Sequence, residues 1–363
     1  MLHLAIPEEV LELILLRVAS VVSLICAAST CKQWRRIVSD AGFRRRFRSL
    51  HGRLITVAGY YYTGAVSHFV LSPSTTIDGR RFSLGFLPGD PRAWNLKDSR
   101  GSLLLLDHHL CEGGTWFVNL VICEPVTRRH ETLLSLSSNC RLTGAFILDG
   151  QGAEEAGGVS MSNFRVLCVL FHEDRTHAGV FTSGRSWRVA SVEDIRLDVM
   201  GHTTSSVYLY KGGGRAVAVD RNTAELLPMV LPDGGAEDWD SHMRDRRVTV
   251  TAGRDGEARI VVGEAGWKNL KVFARLQMQG RGREWAMERS IQLLLLGGGG
   301  PWYYGQPVSI SVYKTGKVLV QAQFMGCVRL DIETGKMKRH VRNPKKGPVY
   351  PYELPWPTSR ACR

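Results

Sequence analysis

The chain has 363 residues, of which 44% are hydrophobic and 22% charged. That apolar content excludes a fully disordered chain, and the length predicts about two domains. Lys and Arg total 47 against 34 Asp and Glu, a net charge of +13. The clusters Arg44 to Arg46, Arg128 to Arg129 and Arg244 to Arg247 and the run from Lys336 to Lys346 fall in segments that read as different structural units. Basic charge spread in this way favours solubility and weak nonspecific binding without naming a ligand.

Eight cysteines form no CxxC pair, and Cys168 sits inside the apolar run Val166-Leu167-Cys168-Val169-Leu170. Such cysteines read as buried, reduced thiols, which predicts a cytoplasmic and/or nuclear protein. Glu8, Glu9 and Glu12 stand where a secretory signal needs a basic start and an unbroken apolar stretch. The longest apolar stretches, such as Val18 to Ala28, fall short of the roughly 18 residues that suggest a membrane span. No membrane partner is expected.

Residues 7 to about 48 read as helical. Pro7 suits a first turn, Glu8 and Glu9 complement a helix N-terminus, and glycine is absent until Gly42. At about 100° per residue, Val10, Leu11, Ile14, Leu15 and Val18 share one broad stripe of the first helix. Leu13 and Leu16 fall outside it, toward Glu8, Glu9, Glu12 and Arg17. One packing face cannot bury all of these side chains, so the helix is expected to be covered on two sides. A second apolar helix follows at Val21 to Ala28. In a third, Trp34, Ile37 and Val38 lie at i, i+3 and i+4 while Lys32, Arg35 and Arg36 stay solvated.

After His51-Gly52 the texture changes to short apolar runs separated by Gly, Asp, Asn, Ser and Pro. Leu103-Leu104-Leu105-Leu106, Phe117-Val118-Asn119-Leu120-Val121-Ile122 and Arg247-Val248-Thr249-Val250-Thr251 read as strands. A similar turn recurs at Glu124-Pro125-Val126-Thr127-Arg128, Asp220-Arg221-Asn222-Thr223-Ala224 and Asp331-Ile332-Glu333-Thr334-Gly335. The intervals between Thr127, Thr223 and Thr334 are each about two periods of roughly 50 residues, near the kelch-type blade length. Intermediate turns are expected near Ser183 to Trp187 and Gly282 to Trp285. This period predicts a β-propeller of roughly six blades, with a β-sandwich or irregular barrel as the other all-β solution. Trp94, Trp187, Trp267 and Trp285 then belong to the packing between blades. The segment Glu353-Leu354-Pro355-Trp356-Pro357 is placed to tether the last strand.

Chemistry-bearing patterns are sparse. The tracts Gly212 to Gly214 and Gly297 to Gly300 lack the partners of a phosphate loop or dinucleotide turn and read as flexible loops. His108-His109-Leu110-Cys111 has no second pair at metal-site spacing. No GxSxG nucleophile elbow is present. The expectation is a non-catalytic protein with no cofactor and no metal.

The N-terminal residues resemble the F-box: Ile6-Pro7-Glu8-Glu9-Val10-Leu11, Ile14-Leu15, Ser23-Leu24 and Cys31-Lys32-Gln33-Trp34-Arg35-Arg36-Ile37. Two positions depart from its pattern: Val21-Val22 replaces the proline common between the first two helices, and Thr30 replaces the aliphatic residue before the cysteine. The remainder is similar to the associated region of a plant F-box family prominent in grasses, in Asp98-Ser99-Arg100-Gly101-Ser102-Leu103-Leu104-Leu105, Val121-Ile122-Cys123-Glu124-Pro125, Met161 to Cys168 and Glu353 to Pro357.

The resemblance implies an α + β multidomain chain, with a three-helix F-box over residues 1–50 and an all-β, kelch-like propeller domain over 51–363. It implies a substrate receptor of a Skp-cullin-F-box (SCF) ubiquitin ligase, held by an Skp-type adaptor and a cullin scaffold and recruiting a protein substrate by proximity. Ile6, Pro7, Val10, Leu11, Ile14, Leu15, Leu24, Cys31, Trp34 and Ile37 are the expected adaptor anchors, some of them shared with the module's core. Loops are the expected substrate readers: Asp149 to Met161, Leu231 to Arg247 and, foremost, Gly297 to Gln306 with Trp302, Tyr303 and Tyr304. The competing functions are a basic propeller acting as a nucleic-acid-binding or scaffold protein, supported by net charge alone, and a metal-dependent oxidoreductase on a propeller, which has no use for the N-terminal helices. Nucleic acid is not the expected partner.

Overall fold

A computed structural model describes residues 6–18, 21–51, 57–63, 67–72, 78–112, 115–137, 140–150, 159–172, 175–184, 187–193, 197–232, 238–264, 267, 269–277, 283–293, 309–322, 326–340 and 349–354. The N-terminal segment forms four helices: α1 (Glu8–Leu16), α2 (Val21–Thr30), α3 (Lys32–Ser39) and α4 (Ala41–His51). The fourth corrects the expected three. Its arginines suggest a solvated run, yet Phe43 and Phe47 sit one turn apart and are both buried, so the helix has an apolar face of its own. Pro7 is the N-cap of α1, whose first turn carries Glu8 and Glu9.

The described residues beyond α4 are mostly strands paired antiparallel. The first two strands are β1 (Val57–Tyr62) and β2 (His68–Leu71). One meander follows as β3 (Trp94–Arg100), β4 (Leu103–Glu112), β5 (Thr115–Glu124) and β6 (Arg129–Ser137). The next is β7 (Cys140–Asp149), β8 (Phe164–His172), β9 (Arg175–Thr182) and β10 (Arg188–Glu193). Then come β11 (Asp198–His202), β12 (Ser206–Gly212), β13 (Arg215–Asp220) and β14 (Leu226–Val230), a short helix α5 (Trp239–Arg244), and β15 (Val248–Ala252), β16 (Ala258–Gly263), β17 (Asn269–Gln277) and β18 (Arg283–Gln292). The last meander is β19 (Ser309–Lys314), β20 (Lys317–Ala322), β21 (Gly326–Asp331) and β22 (Met337–His340), followed by β23 (Val349–Glu353).

Each meander keeps sequential strand order, and β23 returns from the C-terminal end to pair antiparallel with β1 in the sheet β2-β1-β23. The meanders beginning with β11 and β15 merge into one sheet through a parallel contact of Gly201 with Val250. A Cβ at Gly201 would stand 2.2 Å from the Val250 carbonyl oxygen, so only glycine permits this approach. The first strands of the meanders, together with β23, neighbour one another in the order β23, β3, β7, β11, β15, β19 and back to β23. The sheets therefore stand around a common axis in a propeller-like ring.

The core lies between sheets. Six apolar clusters fill the successive gaps around the ring, from Tyr61, Leu104 and Tyr352 through Leu105 with Ile147, Leu148 with Leu209, Tyr208 with Ile260, and Leu270 with Leu330, to Tyr313 with Val349. This explains the unbroken run Leu103 to Leu106: Leu103 and Leu105 face one gap and Leu104 and Leu106 the other, and all are fully buried. A strand covered on both faces has no reason to alternate. Trp94 is buried, while Trp187, Trp267 and Trp285 pack half-buried against three of the clusters.

The recurring turns occupy equivalent places, joining β5 to β6, β13 to β14 and β21 to β22. Asp220 accepts hydrogen bonds from the N–H groups of Asn222 and Thr223, as Asp331 does from Glu333 and Thr334. Arg128, Ala224 and Gly335 each end their turn in the left-handed region. The intermediate turn at Ser183 joins β9 to β10, whereas Gly282 lies outside the described residues.

Candidate functional site

In the helical module, α1 is apolar on two opposite sides. Leu11, Leu15 and Leu16 join Leu24, Ile37, Val38, Phe43 and Phe47 in one core, with Trp34 half-buried against it. Ile6, Val10, Leu13 and Ile14 form the opposite face, 52%, 44%, 61% and 50% exposed. Val10, Leu13 and Ile14, at i, i+3 and i+4, make one stripe of the helix, and Ile6 stands just before its Pro7 cap. The expected division of the helix is thereby corrected. Val10 and Ile14 do not share a buried stripe with Leu11 and Leu15, and Leu13 and Leu16 point to different sides.

The physical reason is at the rim of the buried side. Glu8 and Glu12 lie close to the inward direction but reach out to form ion pairs with Arg36 of α3 and Arg46 of α4, so Leu16 can pack inward beyond them. His51 places its Nε2 at 2.6 Å from the Leu16 carbonyl oxygen and ties the end of α4 to the end of α1. Of the residues expected to anchor an adaptor, Leu11, Leu15, Leu24 and Ile37 are therefore interior, whereas Ile6, Pro7, Val10, Ile14 and Cys31 are exposed. Cys31 caps α3, its Sγ accepting the Trp34 N–H at 3.4 Å. Of the two leucines set apart on a second side of the helix, Leu13 faces out and Leu16 packs inward.

A second feature lies on the axis of the ring, where the first strands enclose a cavity of about 640 Å³. Arg221, from the turn after β13, is fully buried at its edge. Its Nη1 donates to Asp98 Oδ2 at 3.0 Å and to the Ile147 carbonyl at 3.0 Å. Asp98 Oδ2 also accepts the Ile147 N–H at 2.8 Å. Arg100 grips Asp149 with two bonds of 2.5 Å and donates to the Thr204 carbonyl, and Arg165 donates to the carbonyls of Asp149, Asn222 and Thr223. Three adjacent meanders are thus tied together by arginines. Burial, reinforced by the charge of Arg221, pushes the His202 imidazole down to about 4, so this ring is neutral at neutral pH.

Trp302, Tyr303 and Tyr304 lie outside the described residues, as do 151–158 of the first expected recognition loop and 233–237 of the second. The rest of the second is no free loop: it contains α5, with Leu231, Trp239 and His242 buried. Trp239 and Met243 at i and i+4 provide the apolar face that holds it down. Among the described residues no group of three His, Cys, Asp or Glu side chains is placed to hold a metal, and no helix is long and apolar enough to cross a membrane.

Residues 3–49 match the family model described as F-box-like. The N-terminal module is F-box-like. The match spans α1 to α3 and most of α4, so the fourth helix is part of the unit. A search of curated proteins gives no match. Similar solved structures include a chain of the mitotic checkpoint complex, 9% identical, covering 74% of this chain and 73% of that one with a TM-score of 0.37. Another is apo AztD from Citrobacter koseri, 10% identical, covering 81% and 98% with a TM-score of 0.36. The WD40 domain of SCAP from fission yeast is 12% identical, covering 66% and 56% with a TM-score of 0.33. At these scores the ring architecture rests on the strand pairing of this chain. The F-box-like module contributes an unpartnered apolar stripe, and the β ring contributes a closed scaffold.

Proposed function

We propose that the chain is a non-catalytic substrate receptor of an SCF-type ubiquitin ligase, in which the outer stripe of α1 docks on an Skp-type adaptor. The observation that carries this reading is the exposure of Val10, Leu13 and Ile14 on α1, with Ile6 just before it, inside the segment matched as F-box-like. Monomeric soluble proteins rarely leave contiguous apolar stripes uncovered, and an amphipathic helix laid in an apolar groove is a recurrent recognition mode. These side chains are already about half covered, so covering the rest is worth on the order of 3 to 6 kcal/mol gross, against which the cost of association is set. Pro7, Cys31 and Trp34 border the same module and complete the proposed contact.

In this reading the β ring is a kelch-like propeller of six blades, one meander to a blade, with β23 closing the last blade against β1 and β2. The six inter-sheet clusters support that count. The ring holds a protein substrate near the cullin-bound catalytic machinery, raising the effective concentration of its lysines without chemistry by this chain. We assign the receptor to the plant, grass-type F-box class and to the cytoplasm and/or nucleus.

The test is copurification with an Skp-type adaptor. The triple variant Val10→Ser, Leu13→Ser, Ile14→Ser should lose capture while its helical circular dichroism and thermal melt stay those of the wild type. Undiminished capture by the folded variant overturns the proposal.

A further inference from the structure

The axial cavity has a definite chemical character. Its walls are largely apolar, with Val199, Met200, Met243, Val248, Ile310 and Val349 among the lining residues. The charged residues that line it are Lys97, Arg100, Arg221 and Arg246 against Asp98 and Glu353. A volume near 640 Å³ lies within the roughly 300 to 1,000 Å³ of small-molecule sites, which pair apolar walls with a few placed polar groups.

Of the lining carboxylates, that of Asp98 is already engaged. Asp98 accepts from Arg221 and from the Ile147 N–H, and Glu353 also has interactions. Lys97 is held by Asp107 at 2.7 Å and Arg100 by Asp149 at 2.5 Å. Two further cations bear on the cavity. Arg221 is fully buried, yet among the described residues its Nε and Nη2 have no hydrogen-bond partner, and unsatisfied buried donors are costly. Arg246 is exposed, lines the cavity and forms no ion pair among the described residues. Its backbone sits at φ +53°, a conformation that non-glycine residues rarely adopt and that clusters at binding sites. The cavity thus sets cationic donors beside a largely apolar wall, with hydroxyl groups such as those of Ser311 and Thr315 also in its lining.

We infer that the axial cavity of the β ring binds a small organic anion, an apolar body bearing a single carboxylate, sulfonate or phosphate group, with Arg246 receiving the anionic group at the mouth and Arg221 supplying the field behind it. The match is between the two surfaces of such a molecule and the two surfaces of the cavity, and it does not depend on what the helical module binds. The chain's net charge of +13 assists capture of an anion from solution.

Two probes of nearly the same shape test this: 8-anilinonaphthalene-1-sulfonate, and N-phenyl-1-naphthylamine, which lacks the sulfonate. Fluorescence titration of the full chain should give saturable binding at a single site, about tenfold tighter for the sulfonate, the ratio that about 1.4 kcal/mol produces. Arg246→Asn keeps a residue tolerant of positive φ and should weaken the sulfonate probe about fivefold while leaving the neutral probe unchanged, because one charge-assisted contact is lost. Ser311→Trp, on the cavity wall, should exclude both probes. Equal affinity for the two probes, absence of saturable binding, or a sulfonate affinity indifferent to Arg246→Asn each overturns the proposal. Should Ser311→Trp fail to fold, Arg246→Asn still decides between these outcomes, since Arg246 is a surface position. Adaptor capture does not enter the measurement, so failure here and failure of the receptor reading are separate results.

Discussion

In the helical module α1 presents apolar residues on two sides and has only one of them covered, whereas in the β ring Leu103 to Leu106, on both faces of β4, are covered completely. The two regions differ in how they end. The ring returns to its starting point through β23 and β1, so every sheet has a neighbour on each side. A module of about fifty residues has too little chain to wrap its first helix fully. Its leftover apolar surface is available to another molecule, while the ring has none to spare between its sheets and offers a cavity on its axis instead.

Closure of the ring is where the two regions can be set apart most strongly. Tyr352 of β23 is fully buried and packs edge-on against Tyr61, Phe69 and Phe82. Tyr352→Ala should cost about 3 to 5 kcal/mol, read as a lower urea midpoint of the β ring. If the two regions are energetically separate, adaptor capture by the folded protein is unchanged. A midpoint within error of the wild type would mean that closure does not hold the ring together.

Within the module, the two sides of α1 are separated by a pair of single variants. Leu16→Ala removes a core side chain and should cost about 2 to 5 kcal/mol, whereas Leu13→Ala should change stability by no more than about 0.5 kcal/mol. Thermal melts of the two proteins measure the contrast. Equal losses would show that both leucines are covered within this chain, which would remove the free apolar stripe.

A smaller effect sharpens the contrast in polarity. His202 is held neutral in the folded protein, with its pKa moved from 6.5 to about 4 by burial and by Arg221. The unfolded chain therefore binds the extra proton first. The stability that neutral His202 contributes is complete above about pH 6.5 and is lost as pH falls toward about 4, a difference on the order of 3 kcal/mol. His202→Gln should flatten the acid side of the stability profile in this window. An unchanged slope between the wild type and the variant would show that the ring protonates freely in the fold.

The division into a helical start and a β-rich remainder was legible in the sequence because glycine is absent until Gly42 and turn residues then recur. The approximate period was legible from the turns at Thr127, Thr223 and Thr334, since Glu or Asp at the head of each turn makes the local hydrogen bonds that form it. The helical module was legible from Ile6 to Ile37 as a pattern, but which side of α1 faces inward was not. Periodicity places Leu13 and Leu16 on the helix without saying where α3 and α4 will stand, and Arg36 and Arg46 decided it by drawing Glu8 and Glu12 to the rim.

The fourth helix was hidden by its arginines, and α5 by the loop-like composition around it. The axial cavity was not legible at all: Asp98, His202, Arg221 and Arg246 lie far apart in the chain and come together only when the ring closes. Local composition and short-range hydrogen bonding determine where strands, turns and helices form. Long-range burial decides which apolar face is left outside and which distant charges meet, because those outcomes depend on neighbours that no local window contains.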